Sequence, residues 1–278
     1  IMERTAFTKM YKKAKEKGTE AISMEYDIPQ EEVEVLLPSL IVLNRLLKYT
    51  VNDSILLSNV LLSDAVMFEM LFPKEASFVV KAYEEFTLQS ATSIAERFGR
   101  DIGHISRVSS VAIEIYDKMK KLHGYKSRER TLLQVSAILQ DIGKYVNVKN
   151  HALLSYNTIT NLDIVGINDH ERLIIATVCY YHNGNIPSMD SPIYNQLSQE
   201  DRVMVSKLAA ILQISNAINT SHSPKFEQVS VNMKNGKLNI YLTTLKNINL
   251  EKWAFIAKSK LFKEVYGLNA TIIKRGVL

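Results

Sequence analysis

The chain has 278 residues, 46% of them hydrophobic, enough for one large domain or two and for a substantial core. Lysine and arginine exceed aspartate and glutamate by 34 to 29, and the formal net charge of +5 makes polyanions plausible partners without singling out nucleic acid. A single cysteine, Cys179, excludes a disulfide framework and a cysteine metal cluster, and its apolar setting reads as core.

Residues Thr5 to Lys17 predict a basic amphipathic helix with Lys9 to Lys17 as a solvated face, ending near Gly18. Pro29 opens a second helix with Gln30, Glu31 and Glu32 in its first turn, which suits the helix dipole. Ser54 to Ser58 reads as a short buried strand and Leu61 to Leu71 as a helix stopped by Pro73. A run of helices follows: Lys74 to Phe98, Asp101 to Leu122, Ser127 to Gly143, His151 to Leu162, Asp169 to His182 and Ser198 to Asn219. After Pro224 the pattern alternates through Val229, Val231 and Met233, turns at Asn235-Gly236, and alternates again through Leu238, Ile240 and Leu242. A helix from Leu250 to Tyr266, stopped by Gly267, and a strand from Asn269 to Lys274 complete a ββαβ appendage. The longest apolar stretches, Ser54 to Leu62 and Leu173 to Tyr181, fall short of the roughly 20 residues of a membrane helix. No signal-peptide layout opens the chain, so cytoplasmic residence without membrane contact is the expectation.

Polar residues recur where apolar stripes end. Stepping back one turn from Val108 reaches His104, the stripe through Ala137 leads to Gln140 and Asp141, that through Val178 to His182, and that through Leu212 to Asn216. Several convergent buried polar groups are easiest to explain by a shared ligand, metal or hydrogen-bond network, because an uncompensated buried carboxylate costs several kcal/mol. His123, His170 and His222 sit in turn-like contexts and read as surface residues, whereas Trp253 and Phe255 read as core.

The layout of His104, Gln140-Asp141-Ile142-Gly143-Lys144, His151, Tyr181-His182-Asn183-Gly184 and Asn216 resembles the HD superfamily of metal-dependent phosphohydrolases. The resemblance implies a degenerate, unoccupied metal site formed by His104, Asp141, His151 and His182. Gln140 replaces the first histidine of the His-Asp pair and Asn216 the late aspartate. Glu31 to Ser39, reading E-E-V-E-V-L-L-P-S, and Leu62-Ser63-Asp64-Ala65 resemble segments of the exopolyphosphatase and guanosine pentaphosphate phosphatase family (Ppx/GppA), with Glu32, Glu34, Ser63 and Ala65 departing from its usual residues.

That resemblance implies a mainly α fold in three parts. Residues 1–73 would be the trailing segment of an actin-like phosphatase domain, 74–226 an HD-like helical bundle and 227–278 the ββαβ subdomain. It also implies that phosphoanhydride hydrolysis belongs to an upstream actin-like half, since no glycine-rich phosphate loop occurs among the ten glycines. No catalytic residue is therefore assigned in this chain. The expected role is a non-catalytic module that binds polyphosphate or a guanosine polyphosphate through Arg100, Arg107, Lys144, Lys149 and Lys207, forms a homodimer and needs no cofactor. The alternative is a residual phosphohydrolase that holds a divalent metal and acts on a nucleotide or phosphate ester.

Overall fold

The computed structural model describes residues 1–57, 61–74, 77–221, 223, 225–234 and 236–276, and of residue 80 the backbone alone. The chain divides into two compact units, Ile1–Ala76 and Ser77–Leu278. It is mainly α, with a small strand-containing segment at the C-terminal end.

In the first unit helix α1 (Arg4–Tyr26) is interrupted at Gly18, whose φ of 75° is a left-handed conformation that glycine adopts without strain. The basic segment thus ends where its sequence stops it. Helix α2 (Gln30–Leu47) starts after Pro29 with Glu31 and Glu32 in its first turn. Phe7, Ala14 and Ile22 of α1 pack with Val33 and Leu40 of α2 as a small core. Strand β1 (Met2–Glu3) pairs antiparallel with β2 (Ser54–Ile55). The buried strand expected from Ser54 to Ser58 is not found: Ser54 is exposed, Ile55 half-buried, and Leu56 and Leu57 lie beyond the strand, exposed. A two-residue partner offers too short a ladder and no second face to cover it; Ser58 lies outside the described residues. Helix α3 (Leu62–Leu71) forms, but none of its residues is buried.

The second unit opens with α4 (Ser77–Arg97), α5 (Ile102–Lys118), α6 (Lys120–His123) and α7 (Ser127–Leu139). A 3-10 turn (Ile142–Tyr145) leads to α8 (His151–Ile159), α9 (Asp169–Tyr181), α10 (Pro192–Asn195) and α11 (Gln199–Ile218). Helix α7 is central: Leu132, Leu133, Val135, Ala137, Ile138 and Leu139 are all buried, and α4, α5 and α9 pack around it. Helix starts are set by side chains that accept from orphan backbone N–H groups: Asp101 from Gly103, Asn168 from Glu171 and Ser198 from Asp201. The helix expected over Asp101 to Leu122 breaks at Met119, which is buried with non-helical dihedrals.

The break accounts for a correction at His123, which is only 5% exposed rather than on the surface. Its Nδ1 accepts from the Tyr125 backbone N–H at 3.0 Å, so the proton sits on Nε2, which donates to the Tyr116 carbonyl at 2.9 Å. The imidazole replaces backbone partners lost at the helix end. His170 is exposed and paired with Asp201 at 2.9 Å, and His222 lies outside the described residues.

Strands β3 (Gln228–Lys234), β4 (Lys237–Thr243) and β5 (Asn269–Arg275) form a sheet in that order, β3 antiparallel and β5 parallel to β4. Lys234 pairs with Lys237, and Gly236 before the second strand has φ 68°. Asn235 and Pro224 lie outside the described residues. Helix α12 (Asn249–Tyr266) makes the crossover and packs along α11, burying Ala254, Phe255, Leu261 and Phe262. Trp253, expected in the core, is 72% exposed because it falls opposite this stripe. Cys179 is fully buried, and among the described residues no helix is long and apolar enough to cross a membrane.

Burial holds the His123 imidazole below its ordinary pKa, so the unfolded chain binds the proton first as pH falls. The stabilisation from neutral His123 is present above the unfolded value of about 6.5 and is lost as pH drops below it, toward the lower folded value. Thermal melting between about pH 7.5 and about pH 5 is expected to show a larger loss for the unaltered chain than for His123→Phe, and equal losses would refute this account.

Candidate functional site

Helix α7 ends at Leu139, and Gln140 and Asp141 turn the chain into the 3-10 segment. This turn presses on α8 so closely that a Cβ on Gly143 would stand 2.2 Å from the His151 carbonyl oxygen and 2.5 Å from the Ser155 nitrogen. Only glycine permits the contact. Ser155 fastens it: its hydroxyl donates to the Gln140 carbonyl at 2.8 Å and accepts from the Gly143 N–H at 2.9 Å. His151, the first residue of α8, is thereby set beside Asp141, and His182 reaches the same place from the end of α9. Gln213 of α11 holds the loop after α9 by donating to the carbonyls of Tyr181 (2.7 Å) and Asn185 (2.9 Å).

The two imidazoles are oriented alike. Nδ1 of His151 donates to the Val148 carbonyl and Nδ1 of His182 to the Cys179 carbonyl, which leaves an Nε2 lone pair on each ring. Those Nε2 atoms are 3.3 Å apart and lie 3.6 Å (His151) and 3.2 Å (His182) from Asp141 Oδ1. Burial alone would raise the Asp141 pKa, but His182 and the Lys144 ammonium, 2.7 Å from Oδ2, outweigh it and hold the carboxyl below the usual range. Burial, reinforced by the neighbouring His182, lowers the His151 pKa. Three lone-pair donors thus converge, an arrangement that repels itself unless a proton on one histidine or a cation lies among them. Asp141, His151 and His182 each offer a ligand atom within 4.8 Å of the others, and this group could hold a metal ion.

Beside the group a cavity of about 310 Å³ is lined by Arg100, Asp101, His104, Gln140, Asp141 and Lys144 among others. Gln140 is 1% exposed, and neither side-chain amide atom has a hydrogen-bond partner among the described residues. Arg100 donates to the Asp141 carbonyl at 3.3 Å, while its buried Nε has no partner among the described residues. His104 is buried on α5 and lines the same cavity.

The other residues singled out in the sequence are placed elsewhere. Arg107 lines a separate cleft with Ser106, Ser110 and Glu114, Lys149 is exposed, and the Lys207 ammonium lies 5.0 Å from the centre of the Tyr125 ring. Asn216 is half-buried, and among the described residues no side-chain hydrogen bond joins it to Asp141. Sequence reasoning missed Ser155 and Gln213. Gln213 was legible as a polar position inside the apolar stripe of α11, whereas Ser155 has no signal of its own.

The family model described as Ppx/GppA phosphatase, domain III, matches residues 88–261, a span that contains every residue of the cavity and of the Asp141 group.

Gly143→Ala would drive a methyl group into the α8 backbone. Overpacking of this kind costs about 1–3 kcal/mol or more, and denaturant unfolding is expected to show a loss of at least that order. An unchanged midpoint would contradict the contact.

Proposed function

The chain belongs to the Ppx/GppA phosphatase family, and from that premise we propose that it is a C-terminal, non-catalytic portion whose helical unit binds polyphosphate or a guanosine polyphosphate. The observation that carries this reading is the cavity in which the unpartnered amide of Gln140 meets Arg100 and Lys144. Leaving a buried donor unmade costs about 1–3 kcal/mol, and phosphate oxygens accept from an amide NH₂, a guanidinium and an ammonium alike. In this reading Arg100 and Lys144 are the contacting cations. Residues 1–73 are the trailing segment of an upstream actin-like catalytic domain, 74–226 the HD-like bundle and 227–278 the C-terminal subdomain, in a cytoplasmic homodimer.

Equilibrium binding of long-chain polyphosphate over a salt series tests the reading. Affinity is expected to weaken as salt rises, and Arg100→Met with Lys144→Met to weaken it about tenfold or more, roughly 1.4 kcal/mol. Absent or salt-independent binding would overturn it.

A second reading is favoured by the convergent lone pairs. Asp141, His151 and His182 would hold a divalent ion, which supplies a Lewis acid for phosphoryl oxygens, with the backbone carbonyls of Val148 and Cys179 keeping the imidazoles in the ligating tautomer. Metal analysis of protein purified without chelator, followed by manganese titration, is expected to find an ion that His182→Ala loses. Protein that arrives metal-free and takes up none sinks this alternative.

A further inference from the structure

The C-terminal sheet has two unlike faces. Leu238, Ile240 and Leu242 of β4 alternate into the core together with Val231 of β3, and the positions between them form the opposite face. The register of both strand pairs is unbroken, so this face is a regular grid: Asn232, Asn239 and Thr271 make one row, and Ser230, Tyr241 and Ile273 the next. None of its side chains is buried. Of the four positions that each strand contributes, Lys234, Lys237 and Arg275 are cationic and none is acidic. Glu227, just before β3, lines the cleft beside α5 instead. Acidic residues are nearly as numerous as basic ones in the chain, 29 against 34, and an ordinary solvated face would mix the two signs.

Tyr241 stands on the middle strand, and the Arg275 guanidinium lies 3.6 Å from the centre of its ring, a stacking distance. Arg275 is exposed, and among the described residues its guanidinium has no hydrogen bond and no carboxylate partner. The ring therefore supports a charged plane whose outer side and N–H edge are open to a ligand. The Thr271 hydroxyl donates to Asn239 Oδ1 at 2.9 Å, which leaves that amide's NH₂ as a donor on the same face. Apart from Tyr241, Ile273 and the three cations, every position there is an amide or a hydroxyl. Such a face lacks the apolar centre of a protein interface. It offers a single-stranded nucleic acid a plane on which a base stacks, polar groups for base edges and cations for phosphates. Lys237 and Arg275 lie at opposite ends of the face, about 20 Å apart along the strands, so that a bound strand runs along them.

We propose that the open face of the C-terminal sheet binds single-stranded nucleic acid without sequence preference, a base stacking on the Arg275 guanidinium that Tyr241 supports and Lys234 and Lys237 drawing the backbone phosphates. The surface shares no residue with the cavity beside Asp141, and the proposal does not depend on the anion-binding reading. The competing accounts are a solvated sheet face and a patch that attracts any polyanion by charge alone.

The accounts separate in the full 278-residue chain, with a fluorescein-labelled oligothymidylate as the probe and an abasic oligomer of the same length and charge as the comparator. Oligothymidylate is expected to bind about tenfold or more tightly than the abasic oligomer. Arg275→Lys keeps the charge and removes the plane, so it should erase most of that preference while leaving the abasic oligomer's affinity unchanged. Tyr241→Ala should do the same and Tyr241→Phe should not. Arg100→Met with Lys144→Met, which alters the other cavity, should leave oligothymidylate binding as it is. In the unaltered protein ultraviolet cross-linking should join thymine to β4 or β5, a readout that does not depend on how the variants fold. Absent binding supports the solvated face, and equal binding of the two oligomers supports attraction by charge alone; either overturns the proposal. Cross-links confined to other elements, or a preference that Arg275→Lys leaves intact, would overturn it as well.

Discussion

A carboxylate that water barely reaches is expensive to ionise, and the polar organisation of the second unit follows from how Asp141 is kept charged. The lysine three residues on supplies an ammonium to one oxygen, while the imidazole at the end of α9 stands 3.2 Å from the other and is matched to it only through a proton or cation between them. Both partners are themselves held. His182 is locked by the Cys179 carbonyl, and the loop that follows it is tied by Gln213. A mutual dependence results: the helices can close on their apolar faces because the polar ends that meet there are matched, and the polar ends meet because those faces close.

Steric permission matters as much as charge. The turn at residues 140–145 reaches α8 only because Gly143 has no side chain, and Ser155 converts that approach into two hydrogen bonds. Without the contact His151 would have no fixed position relative to Asp141. A single missing Cβ therefore links the local conformation of one turn to the geometry of the three-residue group. That is a shorter chain of cause than any long-range network would need.

The helical succession was readable because its signals are local and redundant. Apolar stripes with a 3.6 period, capping residues such as Asp101, Asn168 and Ser198, and glycine stops agree with one another. The ββαβ succession at the C-terminal end followed from alternation and an Asn-Gly turn signal, whereas the parallel pairing of β5 with β4 did not. Where the reading failed, the deciding quantity was tertiary. His123 looked like a turn residue, yet a break at Met119 folds it inward onto Tyr116. Trp253 looked like core, but the phase of α12 is set by where α11 lies, and that phase buries Phe255 instead. The site was legible as a set of polar residues at stripe ends and illegible as geometry, because sequence spacing cannot separate the cavity residues Arg100 and Lys144 from Arg107 and Lys207, which sit on other faces.

An amide at position 140 changes what such a site can do. An imidazole there would offer a lone pair to a cation, whereas the Gln140 amide presents an NH₂ donor and a neutral oxygen, and both lie unpartnered at the edge of the cavity. In the anion-binding reading proposed above, that donor acts with Arg100 and Lys144 of the cavity lining, against the carboxylates of Asp101 and Asp141. Asp141, His151 and His182 still present convergent lone pairs a short distance away. The two halves are complementary: one side supplies donors and positive charge, the other lone pairs and a carboxylate. A phosphate bound to the first would bring its oxygens close to any cation held by the second, so a ligand could engage both halves without either being a complete centre on its own.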